Sequence, residues 1–77
     1  MKVVIAKVDK VLYEGEAHSM TLPGTAGEMT VMGGHMPLIS TLKAGDITLR
    51  PSGAEPRVFR VEGGILEVRR DGATVIL

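Results

Sequence analysis

The stretch Ile65-Leu66-Glu67-Val68-Arg69-Arg70-Asp71-Gly72-Ala73-Thr74-Val75-Ile76-Leu77 sets two apolar runs, 65–68 and 74–77, on either side of an Asp-Gly pair. Asp-Gly between β-favouring segments signals a hairpin, because tight hairpin turns need positive φ and glycine adopts it without steric cost. Toward the N-terminus the same pattern repeats. Gly63-Gly64 closes the run Arg57-Val58-Phe59-Arg60-Val61-Glu62, Pro51-Ser52-Gly53 closes Asp46-Ile47-Thr48-Leu49-Arg50, and Ala44-Gly45 closes residues 38–42. Residues 28–32 form a further run, and residues 17–22 another that stops at Pro23-Gly24. Val3, Ile5 and Val8 against Lys2, Lys7 and Asp9 mark a first strand whose register slips near its end. Apolar residues recur with period two, the spacing of half-buried strands. The one helix-permissive stretch, 38–44, follows Pro37, is rich in β-branched residues and is too short. The prediction is an all-β chain: a small antiparallel β-sandwich or flattened barrel of about eight to ten short strands. No repeat, linker or low-complexity tract divides residues 1–77, which read as a single domain.

Composition limits what such a domain can do. At 77 residues and 8.2 kDa, surface scaling gives roughly 4,500 Å² folded against about 11,900 Å² unfolded, so the core is thin. With no cysteine, disulfides cannot reinforce it, and a partner surface becomes the expected source of extra stability. Hydrophobic residues at 44% and charged residues at 23% exclude intrinsic disorder. No apolar run approaches the ~18 residues of a membrane span, and residues 3–6 are too short for a secretory signal core, so a cytoplasmic location without membrane insertion is expected. Nine Lys+Arg balance nine Asp+Glu, and one Tyr, one Phe and no Trp leave few stacking platforms. Nucleic acid is therefore not the expected partner.

Catalytic constellations are sparse. The two histidines, His18 and His35, form no His-x-x-x-His pair and have no cysteine beside them, so neither a metal nor another cofactor is expected. Ser40, His35 and Asp46 could be assembled on paper into a nucleophilic triad, but no nucleophile-elbow pattern supports it. Gly24-Thr25-Ala26-Gly27 lacks the Gly-Lys-Ser/Thr of a phosphate loop, and Gly33-Gly34-His35 lacks the spacing of a dinucleotide fingerprint; both read as turns. Met29, Met32 and Met36 crowd one segment. Their first reading is core filling and their second an adaptable contact surface.

One segment is more specific. Gly27-Glu28-x-x-Val31-x-x-Gly34-His35-x-Pro37-Leu38-Ile39-Ser40-x-Leu42-x-x-Gly45 resembles the signature of the epsilon subunit of F-type ATP synthase, in its N-terminal β-sandwich. Val11-Leu12-Tyr13-Glu14-Gly15 and Gly63-Gly64-Ile65-Leu66-Glu67-Val68 resemble flanking parts of the same family, so nearly the whole chain takes part. Thr30 stands where the family usually has glycine and Gly33 where it usually has proline.

The resemblance implies a non-catalytic central-stalk rotor subunit, with the gamma subunit and the c-subunit ring as direct partners and the alpha/beta head as an indirect one. It would couple ring rotation, driven by proton or sodium transport, to ATP synthesis at the cytoplasmic side of a bacterial inner membrane. By position, Gly27 and Glu28 match the loop facing the c-ring, and His35 and Ser40 the side facing gamma. Gly34 and Pro37 are expected to form the turn. The family's C-terminal helical hairpin, which carries inhibition and in some members an ATP site, has no counterpart among these residues, so neither is expected. A free-standing β-sandwich adaptor or ligand-binding module is the competing expectation from composition alone.

Overall fold

The computed structural model describes all of residues 1–77 and contains six strands and no helix: β1 (Lys2–Lys7), β2 (Lys10–Gly24), β3 (Gly27–Met32), β4 (Leu38–Pro51), β5 (Arg57–Arg69) and β6 (Gly72–Ile76). The all-β architecture is as expected, but the strands are fewer and longer. β2, β4 and β5 run for 15, 14 and 13 residues. The glycines read as strand breaks at Ala44-Gly45 and Gly63-Gly64 lie side by side within the β4–β5 ladder, where Lys43 pairs with Gly63 and Gly45 with Val61. One antiparallel register holds from Leu38↔Val68 to Leu49↔Arg57. Without Cβ atoms at these positions the ribbon can bend sharply and keep its hydrogen bonds, so β4 and β5 each account for two of the runs visible in the sequence.

Strand order is β1-β6-β5-β4-β2, and β1 pairs again with β2, closing a five-stranded barrel. β3 hangs on the outer edge of β2 as a hairpin. The β1–β6 pairing is parallel and the others are antiparallel. Closure removes most free strand edges from a chain too small to cover them; the first halves of β2 and β5 are paired on one side, and β3 is open along its whole outer edge.

The hairpin that opened the sequence reading exists with its turn one residue earlier. Arg69 pairs with Gly72, so Arg70 and Asp71 make the turn, and neither Asp71 nor Gly72 has positive φ. Gly72 is glycine for a different reason. A Cβ there would run into the carbonyl oxygen of Lys2 on β1, whose N–H donates to the Asp71 carbonyl at 3.3 Å. The register slip expected in the first strand is a shift between Ile5 and Ala6. Val8, assigned to that strand, instead sits at the turn after it, 98% exposed.

Alternation places Val3 and Ile5, Met20 and Leu22, Ile47 and Leu49, Leu66 and Val68, and Ala73 and Val75 inside the barrel, within a core of 14 buried hydrophobic residues. The accessible surface is 4605 Å², close to the value scaled from mass. Met20 is buried and Met29 packs partly against the core, but Met32 and Met36 are exposed. Core filling therefore fails for two of the three clustered methionines. Met32 pairs with Ser19, while the inward position on β3 belongs to Val31 opposite Met20.

The two aromatic rings meet at one end of the barrel, Tyr13 and Phe59 edge to face at 6.5 Å between centroids. The Arg57 guanidinium lies 5.4 Å and 5.1 Å from the two ring centroids, because Arg57 and Phe59 are two apart on one strand face. Arg57→Ala removes both cation–π contacts and should cost about 1 kcal/mol, lowering the melting temperature by about 4–8 °C, as calorimetry would show.

Candidate functional site

The residues matched to partner contacts fall at the two ends of β3. At its start, Gly24 pairs with Gly27 across a two-residue turn of Thr25 and Ala26. Thr25 is tied to β4 by its N–H, which donates to the Thr41 carbonyl at 3.1 Å, and its hydroxyl lies 3.5 Å from that of Thr41. Gly27 has φ +135° and open space where a Cβ would project. Glu28 is exposed and takes part in none of the ion pairs. Its carboxylate is a free anion at the rim of the fold.

At the far end, β3 runs into residues 33–37. Gly34 adopts φ +80°, which favours glycine because other residues pay for a Cβ in that region. The turn is closed by the His35 N–H donating to the Met32 carbonyl at 3.2 Å. His35 Nδ1 lies 2.7 Å from the Met36 carbonyl; that contact makes Nδ1 the donor, leaving Nε2 as the ring's other polar atom. Pro37 follows and directs the chain into β4.

Glu28 and His35 therefore lie toward opposite ends of β3, with about 14 Å of strand between Glu28 and Met32 at ~3.4 Å per residue. Ser40, grouped with His35 in the sequence reading, lies instead by the β3 start: its Oγ is 3.8 Å from where a Gly24 Cβ would be, and it donates to the Thr41 carbonyl at 3.2 Å. The His35–Ser40–Asp46 trio finds no support: His35 Nδ1 is turned to Met36, Ser40 Oγ to Thr41, and Asp46 to Arg60 at 3.8 Å.

The outward face linking the two ends was not singled out in the sequence. Thr30 and Thr21 share a hydroxyl hydrogen bond at 3.0 Å, and Arg50 Nη1 donates to Thr21 Oγ1 at 2.9 Å and to Ser19 Oγ at 3.3 Å. Ser19 is the one buried polar residue, 5% exposed, and the Arg50 hydrogen bond satisfies it. Across the barrel, Val11, Ala6, Ile76 and Ile65 lie opposite one another on β2, β1, β6 and β5, forming an outer apolar row. Period-two counting does find both faces, but it cannot say which one is the core.

Fold and site together define a small β-sandwich domain whose polar loops flank one laterally open strand. The chain belongs to the family of the ATP synthase delta/epsilon chain β-sandwich domain, whose model matches residues 1–77. It is 42% identical over 78 residues to ATP synthase epsilon chain 2 of Burkholderia orbicola, covering 99% of this chain and 51% of that protein. It is 40% identical over 77 residues to the ATP synthase epsilon chain of Bordetella petrii, covering 99% of this chain and 54% of that one. The chain thus spans about half the length of these curated relatives. A chain in the cryo-EM structure of the Euglena gracilis mitochondrial ATP synthase OSCP/F1/c-ring superposes with a TM-score of 0.89 at 20% identity, over 96% of this chain and 48% of that one. One from the Tetrahymena thermophila mitochondrial ATP synthase central stalk/c-ring gives 0.83 at 16% identity, over 99% and 61%. At such identities these likenesses speak for the fold.

Proposed function

We propose that this domain is a non-catalytic central-stalk subunit of an F-type ATP synthase, passing rotation of the c-subunit ring to the gamma subunit and so to the alpha/beta head during ion-driven ATP synthesis. The observation that carries the reading is the family match along residues 1–77, joined to relatives named epsilon chain. The structural neighbours come from mitochondrial ATP synthase assemblies that include the c-ring. In this reading the domain works at the cytoplasmic side of a bacterial inner membrane and meets the membrane through the complex.

The mechanical task suits the architecture. A closed barrel transmits load through hydrogen-bonded strands, and the residues proposed as contacts lie in or beside the turns at the two ends of β3. Gly27 and Glu28 would face the ring, where the free carboxylate can pair with basic loop residues. His35, on the Gly34–Pro37 turn, would face gamma, and Ser40 would contribute from beside the β3 start. Size exclusion of the domain mixed with a gamma subunit tests the proposal: co-elution at micromolar concentration is expected, and separate elution would refute it. Exposed ion pairs contribute at most about 1 kcal/mol, so Glu28→Gln should weaken binding to a detergent-solubilised c-ring up to about fivefold at low salt and have little effect at high salt, in a titration followed by fluorescence.

A further inference from the structure

The free edge of β3 is the feature the contact loops leave unexplained. Every other strand has a neighbour on each side for at least part of its length, whereas β3 pairs with β2 alone and is open along its whole outer edge. Its sequence, Gly27-Glu28-Met29-Thr30-Val31-Met32, contains no lysine and no proline, and its pairing with β2 shows no register shift. Charged edges, prolines and bulges are how folded proteins keep an open edge from pairing, and β3 has only Glu28, at its beginning. Its outward side chains are Glu28, Thr30 and Met32, all exposed, and Met36, 79% exposed, follows beyond the turn.

We propose that gamma engages this domain by strand addition: an extended gamma segment hydrogen-bonds to the free edge of β3. This rests on the central-stalk reading. The edge states what the segment must look like. Its backbone supplies the hydrogen bonds, and alternate side chains set the register. Opposite Glu28 a lysine or arginine satisfies the free carboxylate, opposite Thr30 a β-branched residue continues the Thr21–Thr30 pair, and opposite Met32 an apolar side chain covers the thioether. The flexible Met32 and Met36 adapt to its shape.

Backbone recognition has a signature that side-chain docking lacks. In the complex of this domain with gamma, amides of residues 28–32 that exchange freely in the isolated domain should slow at least tenfold, as read residue by residue by NMR hydrogen exchange. Thr30→Ala, which keeps the backbone, should leave the affinity for gamma within about threefold. A complex in which those amides exchange as fast as in the free domain, or which Thr30→Ala weakens more than tenfold, overturns strand addition and leaves the central-stalk reading standing. Failure of the two proteins to associate overturns both.

Discussion

Replacing Gly72 with alanine should lower the melting temperature by about 10–20 °C, a fall out of proportion to one added methyl group. The carbonyl of Lys2 occupies the space the new Cβ would need. That oxygen belongs to backbone, so it cannot swing aside as a side chain would. Lys2 is held on both sides, by pairing with Glu16 on β2 and with Gly72 itself on β6. Overpacking of a tight site typically costs about 1–3 kcal/mol, and the upper end applies where backbone must move. For a domain of this size each kcal/mol shifts the midpoint by about 4–8 °C. Gly72 does not have positive φ, so the penalty is steric contact alone. Thermal unfolding of Gly72→Ala beside Gly53→Ala separates the two glycine roles. At Gly53 φ is +73° and no atom lies within 4 Å of the added methyl, so the cost there is backbone strain of about 1 kcal/mol. A Gly72→Ala protein as stable as the parent would mean that β1 and β6 pair differently.

That glycine also shows where the sequence was legible. Asp71-Gly72 announced a hairpin, and one is there, because reversal of an alternating apolar pattern is a local property. The turn residues were misplaced because the glycine answers to β1, some 70 residues away in the chain, and no local rule sees that contact. Gly45 and Gly63 follow the same logic. Each reads as punctuation alone, but facing each other's neighbours across β4 and β5 they become a shared bend. At the candidate site, Gly27, Glu28, Gly34 and His35 were legible as two turns. Their separation by a whole strand, the drift of Ser40 to the opposite end from His35, and the open edge between them required the barrel to be closed. Met32 illustrates the limit: its hydrophobicity favoured burial, but the position beside Ser19 faces outward.

The second large effect is expected at the centre of the core, where Leu66 is fully buried and pairs with Ser40 on β4 and Val75 on β6. Leu66→Ala should cost about 2–5 kcal/mol. A 77-residue domain has about 4–12 kcal/mol of total stability at the usual ~0.05–0.15 kcal/mol per residue. The variant alone should therefore melt roughly 10–30 °C below the parent and, at the upper end of the cost, be partly unfolded at physiological temperature. A partner that binds only the folded form returns stability by mass action, about 2.7 kcal/mol when present at a hundredfold excess over its dissociation constant. If gamma is that partner, adding it at such an excess should raise the midpoint of Leu66→Ala by about 10–20 °C, and the gain should grow with the logarithm of gamma concentration. Gly72 pairs with Lys2 and Arg69 and with none of the proposed contacts, so the same titration on Gly72→Ala should show a similar increment. A midpoint that stays fixed across a hundredfold range of gamma would separate the thin core from the partner proposed to support it, and would leave the stability of this domain to be explained by its barrel closure alone.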